Sequence, residues 1–207
     1  MHMRGRHIML DNETLATSTG AILLQIGGCE FFPEERRIGQ TFNSYIDLGS
    51  SMAAGRLLDP DTFLWWLQQS DEARMALVDG LQNKSDTLNS VLMVLADFCM
   101  MSNGRRGLGA KRELPEGVWG HGSSFDISQI EDCYHNAHID IPWRFQEVRD
   151  TRTIFDLCGT SLGDEVKLIT WPDHLPPRVH HEASSDAVAQ ALAIMACLDR
   201  ISVRIST

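Results

Sequence analysis

The chain has 207 residues, a hydrophobic share of 43% and a formal net charge of −10, which together suit one globular domain, 1–207, with a real core. Such acidity argues against a broad basic face that grips long nucleic acid, and no apolar run reaches the ~18 residues of a membrane-spanning helix. Five scattered cysteines without a CxxC pair build neither a zinc site nor a disulfide framework.

The opening Met1-His2-Met3-Arg4-Gly5-Arg6 is too short and polar for a secretory signal. With lone thiols that suit a reducing compartment, the expected location is the cytoplasm of a bacterium or of a phage-infected host. Residues 7–10 predict a first strand entering Asp11. Thr17-Ser18-Thr19-Gly20 is a turn, and 21–32 are apolar enough for a second strand, where Gly27 and Gly28 suggest a bend or bulge. After a polar hairpin loop at 33–37, residues 41–48 alternate and predict a third strand. Three strands in succession suggest an antiparallel meander. Asp59-Pro60-Asp61 signals a helix start ahead of 62–69, and Asp71-Glu72 begins another that ends near Gly80. Leu88, Val91, Leu92, Leu95, Phe98 and Cys99 keep helical spacing, so 87–101 should lay one face on a sheet. Asn103-Gly104-Arg105-Arg106-Gly107 stops that helix.

Residues 118–120 predict a fourth, buried strand. Ile127, Ile130, Tyr134 and Ala137 mark a helix capped by Ser123 or Ser124. A short fifth strand at 146–149 is followed by a helix through Leu157 with Asp150 as its cap. Residues 158–178 hold three prolines and no periodicity, and read as a long loop. Val188, Ala191, Leu192 and Met195 define an amphipathic last helix. A meander followed by alternating helices and strands is a mixed α/β layout of five strands flanked by helices.

Chemistry concentrates at three separated acidic marks. Residues two apart on a strand point to the same side, so Asp11 and Glu13 converge on one point. If Asp126 and Asp186 reach that point, four carboxylates crowd together, and like charges that close repel unless something offsets them. Divalent cations such as Mg²⁺ or Mn²⁺ are the offset carboxylate oxygens favour. A histidine beside them is a ready general base, with His181 and the adjacent His180 as competing candidates. Each mark also has an ordinary role: surface charge for Asp11 and Glu13, a first-turn helix acid for Asp126 and Asp186. Trp65-Trp66 offers a stacking platform for bases, but its helical spacing with Phe63 and Leu67 favours a core position. Arg105-Arg106 and Lys111-Arg112 fit a solvated Gly-rich loop. No phosphate-binding glycine motif is present.

Three blocks carry a resemblance: Leu10-Asp11-Asn12-Glu13-Thr14, then Trp119-Gly120-His121-Gly122-Ser123-Ser124-Phe125-Asp126, then His181-Glu182-Ala183-Ser184-Ser185-Asp186-Ala187. Their order resembles the three motifs of the DEDDh 3′→5′ exonucleases of the RNase H-like superfamily, and His181 with Asp186 fits the H-x4-D spacing of the histidine subclass. Trp65-Trp66-Leu67-Gln68-Gln69-Ser70 with Glu72-Ala73-Arg74, and Val148-Arg149-Asp150-Thr151-Arg152-Thr153, are similar to a branch of mycobacterial-type exoribonucleases and phage exonuclease A proteins. The resemblance spans residues 7–198. Asn12 departs from the apolar residue usual between the two acids, and His121 stands where many relatives carry asparagine.

The resemblance implies an RNase H-like fold and two Mg²⁺ or Mn²⁺ ions on Asp11, Glu13, Asp126 and Asp186. It implies His181 as general base and, as substrate, a 3′ end of RNA or single-stranded DNA shortened to nucleoside 5′-monophosphates. It places Thr14 and Leu15 at the terminal 3′-OH, with Leu15 as a wedge between the last two bases and Phe125 and His121 at the pocket edge. Relatives often pair as homodimers, for which the Trp65-Trp66 region offers apolar surface. The rival reading is a non-catalytic RNase H-like module that binds RNA or a protein partner.

Overall fold

The structure, a computed structural model, describes residues 3–100 and 113–205. The basic residues Arg105, Arg106, Lys111 and Arg112 and the helix stop at 103–107 lie outside the described residues. Six strands form one mixed sheet in the order β4-β3-β2-β1-β5-β6. Strands β1 (His7–Thr14), β2 (Leu23–Phe32) and β3 (Arg37–Ile46) are the antiparallel meander. Strands β5 (Gly117–Gly120) and β6 (Val148–Asp150) then run parallel to β1. The expected five strands are all present. The sixth, β4 (Ser85–Asp86), pairs with the end of β3 over two residues, a span too short to show any alternation in sequence.

Both faces of the sheet are covered, which is why β1 reads as an unbroken apolar run. Ile8 and Leu10 point to one face, against α4 (Leu88–Met100) and α5 (Asp126–Ala137). Met9 points to the other, against α6 (Thr151–Cys158) and α8 (Ala183–Ile205). The spacing in α4 does what it predicts, burying Leu88, Val91, Leu92, Leu95, Phe98 and Cys99. Each such side chain contributes roughly 1.5–3 kcal/mol by leaving water. No described helix is long and apolar enough to cross a membrane.

Several local expectations change. β3 stops at Ile46, because Asp47 caps a short helix α1 (Leu48–Ala53) by accepting from the Ser50 amide at 2.7 Å. Helices α2 (Pro60–Leu67) and α3 (Asp71–Asn83) follow, capped by Asp59 and Ser70. Neither Ser123 nor Ser124 caps α5. Its cap position is Phe125, and the turn is set instead by Gly122, whose carbonyl accepts from the amides of Phe125 and Asp126 at 2.7 and 3.0 Å. Within the expected long loop, Ser161 caps a further short helix, α7 (Leu162–Val166). Asp150 caps α6 as expected, accepting from the Arg152 amide, and its other oxygen accepts from the Ser123 amide at 2.7 Å.

Gly27 and Gly28 form no bulge: both sit in regular register, opposite Asp11 and Leu10. The irregularities fall between Glu13 and Thr14 and between Cys29 and Phe31. Gly27 is instead a point of close approach, because a Cβ there would overlap the backbone of Ala183 and Ser184 at the start of α8. Small residues on α8 (Ala183, Ala187, Ala191) continue that intimate seating on β2 and β1. Gly27→Ala is therefore expected to destabilise the protein by about 3 kcal/mol or more, and to displace the start of α8. Urea unfolding monitored by circular dichroism checks this; a loss below about 1 kcal/mol contradicts the close seating.

Candidate active site

The site forms where the carboxyl ends of parallel strands β1 and β5 meet the start of α8, the usual place for chemistry on an α/β sheet. Asp11 and Glu13 share the face of Met9, toward α8. Asp186 comes from the first turn of α8, and ligand oxygens of Asp11, Glu13 and Asp186 lie within 4.8 Å of one another. Asp126, delivered by the Gly122 turn after β5, lines the same cavity of about 460 Å³. His121, Phe125, His180 and His181 also line it, as do Arg178 and Gln190. Asn12 points to the opposite face of β1 and donates to the Asp126 carbonyl at 2.9 Å. That bond ties the first and second acidic blocks together, a role no apolar residue could fill.

His181 sits half-buried at the mouth of the cavity in a left-handed conformation, φ 59°. Its amide donates to Asp186 Oδ2 at 3.0 Å. Glu182 anchors the turn from behind, accepting from Gln25 Nε2 at 3.0 Å, from Asn43 Nδ2 and from the Ser185 amide. The ring meets Trp65 edge-on with centroids 5.1 Å apart, and His180 at 4.0 Å. The tryptophan pair thus divides. Trp66 is core and donates to the Thr14 carbonyl at 2.9 Å, whereas Trp65 stays exposed beside His181.

The 3′-5′ exoribonuclease Rv2179c-like domain model matches residues 6–198 of the chain. The chain belongs to this family. No curated protein matches it. Among solved structures it is similar to E. coli exonuclease I in a zinc-bound complex with single-stranded DNA, at 15% identity and TM-score 0.55, covering 98% of this chain and 41% of that one. It is similar to cell-death related nuclease 4, at 14% identity and TM-score 0.62, covering 95% and 64%. It is also similar to the nuclease domain of 3′hExo, a DEDDh family member bound to rAMP, at 12% identity and TM-score 0.54, covering 94% and 92%. At such identities these likenesses show the fold alone, a mixed α/β sheet flanked by helices. The chain spans about two fifths of the exonuclease I chains it matches.

In this Rv2179c-like domain the carboxylates are held at electrostatic cost. Burial, then the neighbouring Asp186, push the Asp11 carboxyl up to about 7, against a partial offset from Gln190, whose Nε2 donates to it at 2.8 Å. Burial and then Asp11 raise both Glu13 and Asp126 well above the ordinary carboxylate range. Burial and the Arg152 guanidinium lower His121, whose Nδ1 lies 2.7 Å from the Thr151 hydroxyl. Beside the acids, Gln190 Oε1 is a buried oxygen without a partner. An all-oxygen donor set carrying this much unneutralised charge fits hard divalent cations.

Not every expected contact converges. Thr14 is buried, with its hydroxyl donating to the Ala16 carbonyl at 2.8 Å. Leu15 packs with Ile22, Leu24 and Trp66. Neither lines the cavity. Two residues of the site had no assignment from sequence. Gln190 stands one helical turn beyond Asp186 on α8, a spacing that places both on one face. Arg178 lies in the aperiodic, proline-rich segment and carried no signal.

A carboxyl raised on folding favours the folded state fully below its unfolded value, and that contribution is lost as pH rises through the folded one. For Asp11 the window runs from 3.8 to about 7. In chelator-treated protein, Asp11→Asn should therefore be more stable than the parent by on the order of 4 kcal/mol at pH 8, with the gain shrinking toward pH 4. Denaturant melts across that range check it; a pH-independent difference contradicts a strained carboxyl.

Proposed function

We propose that the protein removes nucleotides one at a time from the 3′ end of single-stranded or overhanging RNA, releasing nucleoside 5′-monophosphates in the cytoplasm. The observation that carries this reading is the convergence of Asp11, Glu13 and Asp186 oxygens within 4.8 Å, in a cavity also lined by Asp126 and His181. Asp11, Glu13, Asp126 and Asp186 would hold two Mg²⁺ or Mn²⁺ ions, which would supply charge stabilisation for the attacking and leaving oxygens. His181 accepts a proton from the attacking water. Burial and then His180 lower its proton affinity, which keeps the imidazole neutral near pH 7, as a base requires. The water oxygen bonds to phosphorus as the bond to the 3′-oxygen of the penultimate nucleotide breaks, and that oxygen takes up a proton.

His121 and Phe125, on the cavity wall beside Asp126, border the terminal nucleotide. The exposed Leu64, Trp65 and Leu67 of α2 offer the surface for pairing two copies of the chain. A second reading, single-stranded DNA as substrate, is favoured by the single-stranded DNA held in the similar exonuclease I structure.

Matched RNA and DNA oligomers labelled at the 5′ end, digested with Mg²⁺ or Mn²⁺, should give ladders that shorten from the 3′ end, faster on RNA. Internal cuts overturn the reading in favour of an endonuclease, and the absence of any cleavage overturns it in favour of a non-catalytic module. Asp11→Ala and Asp186→Ala should abolish release. His181→Ala should lower kcat by about 10²–10⁴-fold with an unchanged melting temperature, while His180→Ala stays within a few-fold of the parent. The reverse order would assign the base to His180.

A further inference from the structure

Both oxygens of Asp186 are engaged from within the chain. Oδ2 accepts from the His181 amide at 3.0 Å and Oδ1 from Arg178 Nη2 at 3.1 Å. A divalent cation drawn to Asp11, Glu13 and Asp186 competes with both donors for the same carboxylate. It repels only the guanidinium, because a backbone amide carries no net charge. Arg178 is therefore the group that gives way.

Arg178 is also equipped for another partner. A guanidinium presents five N–H donors in a planar fork, and here Nε is buried without an acceptor. Its side chain is 28% exposed, on the wall of the same cavity as Asp11, Asp126 and His181. Among the described residues lining that cavity it is the sole lysine or arginine. A phosphodiester entering a space walled by carboxylates needs a fixed positive charge, and the guanidinium fork matches two phosphate oxygens. Its backbone is steadied by Pro176-Pro177, whose ring geometry fixes φ. Trp171 Nε1 also donates to the Pro176 carbonyl at 2.8 Å. Reorientation thus falls on the side chain and not on the loop.

We propose that Arg178 is a substrate-phosphate ligand held in reserve, paired with Asp186 in the cation-free protein and turned onto the phosphate of the bound nucleotide once a divalent cation takes Asp186. The inference rests on the exonuclease reading for the identity of the phosphate, but its first consequence does not. Isothermal titration of Mn²⁺ into Arg178→Gln should show affinity equal to or about two- to fivefold tighter than the parent, because a competing cation is gone. Weaker Mn²⁺ binding would mean that Arg178 only braces Asp186, and would overturn the proposal. With saturating Mn²⁺, titration of AMP should weaken about tenfold or more in Arg178→Gln, while adenosine binds parent and variant alike. Arg178→Lys should recover part of the AMP affinity. Equal AMP affinity in parent and Arg178→Gln overturns the phosphate role. A parent that binds AMP but releases no mononucleotides from RNA or DNA overturns the exonuclease reading alone.

Discussion

Carboxylates from the two ends of the chain share a space in which their oxygens lie within 4.8 Å of one another, and nearly everything around them answers to that crowding. Buried like charges cannot all ionise without a compensating cation, so Asp11, Glu13 and Asp126 hold their protons far more tightly than solvated acids do. The arrangement is unfavourable to folding by itself. It persists because the sheet and α8 over-determine the positions of the residues that carry it.

That over-determination has identifiable parts. Gly27 lets the start of α8 sit against β2 at backbone contact, which brings Asp186 over the end of β1. The Gly122 turn, held by Asp150 through Ser123, swings Asp126 in from β5, and Asn12 locks it to β1 through its backbone carbonyl. Glu182, pinned by Gln25 and Asn43, sets the left-handed turn that presents His181. Each device stabilises an element locally while fixing a group that the element would otherwise expel.

The charge of the cavity explains how an acidic protein can belong to a family of nucleases. A net charge of −10 gives no electrostatic footprint for long nucleic acid, yet the cavity concentrates its acids where bound divalent cations would reverse the local sign. Among the described residues, Arg178 is the fixed positive charge on that wall.

What the sequence by itself determined is whatever depends on spacing along one element. The alternation of β1 put Asp11 and Glu13 on one side, the 3.6-residue period marked α4 and α8, and the order of the three acidic blocks carried the family. Tertiary structure alone decided the rest. Gly27 reads as a bulge until α8 is seen lying on it, and Ser123 reads as a cap until Asp150 claims its amide. Trp65 and Trp66 are equivalent in sequence, yet packing buries one and leaves the other beside His181. Arg178 sits in a segment without periodicity, where no local rule assigns a direction to a side chain. Its meaning comes only from Asp186, eight residues away and across a turn, because a contact between elements is set by how they pack and leaves no periodic trace in the chain.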